Sequence, residues 1–201
     1  MYHIAKQEIC LNKGKEMKNE ELQRDTQERI RLNIGRGKDI KEGYLNCDYV
    51  KAPGVDLVID ISKERLPLPN DSVDEILCSH ILEHIHDWHL NPMSEMHRVL
   101  KKGGILEIRV PYGLESLNEA FHVRVFLPGT MDAFIHGPAD NSTALDGPNK
   151  KMFELIERRY MRVFWFGWHL SRYLRIHWLK GKRYSFPFGK KAEIIWILRK
   201  I

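Results

Sequence analysis

Apolar positions along this chain come in short blocks whose period changes from one block to the next. Residues 30–34 (Ile-Arg-Leu-Asn-Ile) alternate and run straight into Gly35, Arg36 and Gly37. Two further apolar stretches, 44–48 and 55–60, each close on a carboxylate, Asp48 and Asp60. Short alternating runs bounded by Gly or Asp predict strands, and a strand feeding glycines leaves backbone N–H groups open to a ligand. Residues 72–79 alternate poorly and predict a strand buried on both faces, as at the centre of a parallel sheet. Met93, Met96, Val99 and Leu100 stand at helical spacing and predict a helix over 94–100, stopped by Lys101-Lys102-Gly103-Gly104. Residues 105–110 read as a strand closed by Pro111, and 159–166 and 192–198 as two more.

The connectors are informative too. Six residues lie between Gly37 and Tyr44, whereas a parallel crossover takes about a dozen, so any first helix is cut to about one turn. Pro53-Gly54 makes the next link equally tight. Residues 112–149, punctuated by Gly113, Pro128-Gly129, Gly137-Pro138 and Gly147-Pro148, read as irregular. Between the last two strands, 168–179 predicts a basic amphipathic helix with Leu170, Tyr173, Leu174 and Trp178 on one side.

Composition narrows the class. A chain of 201 residues with 43% hydrophobic content buries a core as one domain without covalent staples. Cys10, Cys47 and Cys78 form no CxxC and leave an odd thiol, so a disulfide framework is not expected and a reducing, cytoplasmic setting is. No apolar run reaches the length of a membrane span, and residues 1–18 are too polar for a leader. Residues 1–28, rich in Lys, Glu and Gln, form either a loose arm or a surface helix, and composition does not choose between them. Residues 29–201 then make up the domain. Charge is uneven: from Lys150 onward 14 Lys and Arg face three Glu, a local +11 in a chain of net charge +5. Four of the five Trp, at positions 165, 168, 178 and 196, share that stretch. Basic and aromatic residues together suit nucleic acid, an anionic surface, or simply a core cover with a solvated rim.

Candidate chemistry concentrates at His80, His84, His86 and His89. His80 and His84 have the i, i+4 spacing of a helical metal pair, but no HExxH is present and no third ligand stands at a fixed spacing, so no metal is expected. An imidazole titrates near neutrality, so His84 suits a general base or a substrate-orienting group equally with a structural hydrogen-bonding role.

Taken in order, RLNIGRGKD, YLNCD, VDLVID, SVDEILCSHILEHI and MHRVLKKGGILEIRVP resemble the class I S-adenosylmethionine-dependent methyltransferases, in particular compact members with an LEH segment after the fourth strand. The resemblance is close over roughly 80 residues and looser through the final strand. It implies a Rossmann-like α/β fold with a mostly parallel seven-stranded sheet, an antiparallel carboxyl-terminal strand and a shortened first helix. It divides the domain into a cofactor-binding part, 29–111, and a substrate-facing part with the closing hairpin, 112–201. It implies S-adenosyl-L-methionine as cofactor, held by Asn33, Gly35, Arg36 and Gly37, by Asp48 on the ribose hydroxyls, by Asp60 and Ile61 at the adenine, and by Ser79 and His80 at the end of the fourth strand. Relatives often carry an acid where this chain has Asn33 and a small residue where it has Arg36. A His-x-x-x-Phe pattern of the family matches His122 and Phe126, which makes His84 and His122 the catalytic candidates and Arg124 and His136 the substrate-side ones. The acceptor expected is a small molecule or a glycan-related, anionic or sugar-linked compound. The competing readings are an RNA methyltransferase using the basic aromatic segment and a noncatalytic cofactor-binding relative.

Overall fold

The structure is a computed structural model and describes residues 29–35, 37, 39–137, 151–163 and 190–201. Its strands are β1 (Arg31–Ile34), β2 (Leu45–Asp48), β3 (Leu57–Val58), β4 (Val73–Ser79), β5 (Leu100–Pro111), β6 (Phe153–Val163) and β7 (Lys190–Lys200). They form one seven-stranded sheet in the order β3-β2-β1-β4-β5-β7-β6. Neighbours from β3 through β5 pair parallel, and β7 is antiparallel to both β5 and β6. This is the mostly parallel sheet with an antiparallel carboxyl-terminal strand expected from the sequence.

Packing follows the apolar pattern. At the centre, Ile76, Leu77 and Cys78 of β4 are consecutive and all buried, as a strand covered on both faces requires. Helix α1 (Asn91–Val99) sets the fully buried Met93, Met96 and Val99 into the core, each contributing roughly 1.5–3 kcal/mol of apolar burial. Trp88, Phe126 and Trp196 continue the core toward the carboxyl-terminal strands, with ring centroids 5.2 and 6.4 Å apart in that order. Lys200 ties β7 to the start of β4 and β5, its Nζ donating to Asp71 Oδ1 and the Leu100 carbonyl at 2.7 Å each.

Several boundaries differ from expectation. Helix α1 begins at Asn91 rather than Ser94, because Pro92 sits in the first turn, where its missing N–H costs nothing. It ends at Val99, since Leu100 is already extended. Residues 101–104 therefore belong to β5, where Gly103 takes a φ of 81° and the pairing with β4 shifts register between Val73 and Glu75. Strand β6 starts at Phe153, six residues before the expected 159; a register shift between Leu155 and Glu157 breaks the alternation and exposes Ile156. The stretch expected to be irregular contains 3-10 turns at Leu114–Asn118 and Pro128–Met131 and a short helix α2 (Asp132–His136). Between β1 and β2 the described residues form turns and no helix. The helix expected at 168–179 and the arm 1–28 lie outside the described residues. No helix among the described residues is long and apolar enough to cross a membrane.

Candidate active site at the carboxyl edge of the sheet

A cavity of about 930 Å3 opens where β1, β2, β3 and β4 end. Ligands in open α/β sheets bind at this edge, because strand-to-connector turns there present backbone groups that no ladder consumes. Gly35 and Gly37 form one wall, Asp48 and Tyr49 the second, Asp60, Ile61 and Ser62 the third, and His80, Ile81 and His84 the fourth. Ala120, Phe121 and Val123 close the far end with an apolar surface.

The glycines have different duties. Gly35 holds a φ of 72° and donates its N–H to Cys47 at 2.9 Å. A Cβ on it would fall 1.8 Å from Ile81 Cγ1, so β1 can pass under Ile81 only without a side chain. Gly37, with φ 48°, has nothing within 4 Å of where a Cβ would stand. Its N–H donates to Asp48 Oδ2 at 3.1 Å, and Val50 N–H donates to Asp48 Oδ1 at 3.1 Å. Asp48 is thus an oriented acceptor beside an open backbone turn.

Asp60 is fixed locally. Its Oδ1 accepts from the N–H and hydroxyl of Ser62 and its Oδ2 from Lys63 at 2.9 Å. The Lys63 contact first, then Ser62, holds its carboxyl below the usual range. Cys47 lines the cavity, but burial, with Asp56 and Asp48 nearby, pushes its thiol up to about 12, which removes it as a nucleophile at neutral pH.

His80 carries the marked backbone feature of the site. It follows β4 with a φ of 57°, a region that non-glycine residues enter at a cost of about 1–3 kcal/mol. The imidazole is clamped from both sides: Nε2 lies 2.7 Å from Glu193 Oε1 on β7 and Nδ1 lies 3.2 Å from Glu83 Oε1. The Glu193 hydrogen bond first, then the Glu83 carboxylate, raises its pKa to about 9 against the opposing effect of burial. The left-handed turn at His80 and the 3-10 turn Leu82–His84 also send His80 and His84 to different partners, so the two do not share a helical face.

His84 and His122 come together, with ring centroids 4.8 Å apart and edge-on. Val123 N–H donates to the Glu83 carbonyl at 2.8 Å, stitching the 121–123 segment onto the 3-10 turn. The remaining sequence candidates are placed elsewhere. Asn33 is buried, donating to the Asp39 carbonyl and Asn46 Oδ1 at 2.9 Å each. It braces the turn after β1 instead of lining the cavity. Ser79 ends β4 behind His80. Arg124 donates to the His86 carbonyl at 2.9 Å and His136 ends α2, both away from the cavity lining. Arg36 lies outside the described residues. Glu83, absent from the sequence candidates, is the group the fold adds.

Residues 32–108 match the family described as a methyltransferase domain. No curated protein matches the chain by sequence. Among solved structures, an S-adenosylmethionine-dependent methyltransferase from Archaeoglobus fulgidus superposes with a TM-score of 0.57 at 16% identity, over 92% of this chain and 94% of that one. Over residues 32–108 the chain is thus similar to the methyltransferase-domain family, and its fold is that of these S-adenosylmethionine-dependent enzymes. A Burkholderia thailandensis 1,6-didemethyltoxoflavin-N1-methyltransferase with its acceptor and S-adenosylhomocysteine bound gives a TM-score of 0.52 at 14% identity, over 85% of this chain and 70% of that one. A Haloferax volcanii methyltransferase in complex with the Trm112 activator gives 0.50 at 14%, over 86% and 82%.

The cavity fits S-adenosylmethionine, the cofactor named for the Archaeoglobus fulgidus neighbour. An open backbone turn at Gly37, a carboxylate at the end of β2 and an apolar wall at Ile61 are the three surfaces such a nucleoside needs. Bound there, the sulfonium supplies an electrophilic methyl group.

Proposed function

We propose that this chain is an S-adenosylmethionine-dependent methyltransferase that transfers the methyl group by in-line displacement to a small-molecule or glycan-related acceptor seated between His84 and Phe121. The observation that carries the reading is the size and asymmetry of the cavity. At about 930 Å3 it stands near the top of the roughly 300–1,000 Å3 usual for small-molecule sites. One end is glycine- and carboxylate-lined. The other is apolar with a single imidazole, which leaves room for a compact acceptor beside the cofactor.

In this reading Gly35 and Gly37 shape the turn around the amino-acid end, Asp48 accepts from the ribose hydroxyls, and Asp60 and Ile61 hold the adenine. Asn33 acts indirectly, by fixing that turn to β2 through Asn46. His80, held as a cation between two carboxylates, fixes the end of β4 and with it Ile81 above Gly35. Alignment of nucleophile and methyl group in a water-poor cleft provides most of the acceleration. An acceptor hydroxyl also needs somewhere to send its proton, and His84, its Nδ1 held by the Phe121 carbonyl at 3.0 Å, offers Nε2 at the acceptor end.

Calorimetry with S-adenosylhomocysteine followed by an acceptor screen with labelled cofactor tests the reading. Methylation of a sugar-linked or other small acceptor supports it. Methylation of RNA alone, with steep salt dependence, replaces the acceptor assignment with nucleic acid. Cofactor binding without turnover on any class makes the chain a binding relative.

A further inference from the structure

We propose that Glu83, His84 and His122 form a binding site for one divalent first-row metal ion of the zinc type, beside the cavity, which His84 alone of the three lines. A ligand atom from each of the three lies within 4.8 Å of the others. The fold brings them together by two contacts: Val123 N–H on the Glu83 carbonyl, and His84 Nδ1 on the Phe121 carbonyl. His122 Nδ1 in turn holds the Ser116 carbonyl at 2.7 Å. A carbonyl oxygen only accepts, so both imidazoles carry their hydrogen on Nδ1 and keep the lone pair on Nε2. Metal-ligating histidines are prepared in this way, one nitrogen fixed by a carbonyl and the other left as a donor.

Glu83 supplies the second, independent observation. Its side chain is fully buried, and neither carboxylate oxygen makes a hydrogen bond among the described residues. Its ion-pair partner is His80, whose Nδ1 lies 3.2 Å away and whose Nε2 is held more closely by Glu193. A buried carboxylate with no hydrogen bond and only a shared imidazole for its charge is sparsely compensated, and a metal cation held together with His84 and His122 lowers that cost.

The donor set chooses the ion class. Two imidazoles and one carboxylate suit borderline ions such as Zn2+, whereas Mg2+ and Ca2+ favour oxygen-only shells. Three protein ligands with an open position also mark zinc sites that act on substrates instead of holding a fold together. The 4.8 Å span exceeds the roughly 3.4 Å between ligands of a tetrahedral zinc ion, so loading draws the His122 segment inward. The consequence for the acceptor rests on the reading of the cavity given above: an acceptor hydroxyl bound at the open position would have its pKa lowered and give its proton to solvent water, so that in the loaded protein the metal, and not His84 Nε2, would activate the hydroxyl.

The test uses the full chain without a histidine tag, stripped with chelator, then titrated with Zn2+ by calorimetry and with Co2+ by visible absorption. The expected result is one equivalent of either ion, with the visible bands of a four- or five-coordinate cobalt site. His122→Ala and Glu83→Gln should weaken binding at least tenfold, the scale on which even outer supporting groups act, and His86→Ala should leave it unchanged. His122→Ala, in an irregular segment, carries the test if Glu83→Gln fails to fold. No uptake, or equal uptake by a His84→Ala/His122→Ala double variant, overturns the site. S-adenosylhomocysteine affinity measured on the same metal-free samples reports separately on the cofactor reading.

Discussion

Ile81 lies so close over Gly35 that a Cβ on the glycine would stand 1.8 Å from its Cγ1. The contact joins the end of β1 to the residue just past β4 and sets the roof of the cofactor cavity. Gly35→Ala should therefore be severe on two counts: a left-handed backbone worth about 1–3 kcal/mol and an overpacked contact worth a similar amount. Gly37→Ala meets open space and bears only the backbone cost of about 1–2 kcal/mol. Thermal melting of the two variants side by side checks this. Equal losses would mean that the Ile81 contact is not what the glycine serves.

Asp48 already accepts from Gly37 and Val50 N–H groups, so its carboxylate is oriented before any ligand arrives. Removing a charged acceptor costs about 1.5–3 kcal/mol, or roughly 10- to 150-fold in affinity. Asp48→Ala should weaken S-adenosylhomocysteine binding by that factor in calorimetry, with far-UV circular dichroism unchanged. Retained affinity would move the ribose site elsewhere.

Glu95 on α1 accepts from Leu66 N–H and from Arg98. The Arg98 hydrogen bond first, then the Leu66 N–H, holds its carboxyl below the usual carboxylate range despite its burial. The sign follows from that direction. A carboxyl whose folded pKa lies below its unfolded value of about 4.3 stabilises the fold above that value and loses the contribution as pH falls through the folded pKa. Glu95→Gln should lower stability at neutral pH and flatten the acid limb of the stability profile. Denaturant titrations from pH 7 down to the acid range measure both, and an unchanged acid limb would remove Glu95 as its source.

Much of the fold was legible because its cues are local. Gly35, Gly37, Asp48 and Asp60 each end a short apolar run, and a strand end is where this architecture places its ligand. The elements misjudged were those whose cue is tertiary. A register shift beside Ile156 hides the first half of β6 from any count of alternation. Helix α1 starts after Leu90, which offers no side-chain cap to read. Glu83 escaped notice for a similar reason: its surroundings are set by the 121–123 segment, remote in sequence, and by the turned backbone at His80. The i, i+4 spacing of His80 and His84 misled because the backbone at His80 is left-handed, which no spacing rule anticipates.

Phe121 separates the acceptor end from the cofactor end most directly. Its ring lines the cavity yet is 80% exposed, while its backbone carbonyl, which no substitution removes, holds His84. Covering such a ring with an acceptor buries apolar surface worth about 1.5–3 kcal/mol. Phe121→Ala should thus raise the acceptor KM by about tenfold or more, leave kcat within a small factor, and leave S-adenosylhomocysteine affinity unchanged. A fall in kcat with constant KM would place the ring against the transition state instead. Loss of cofactor affinity would mean that Phe121 covers the cofactor, and the acceptor would then have to enter along Tyr49 and Val50 on the opposite wall.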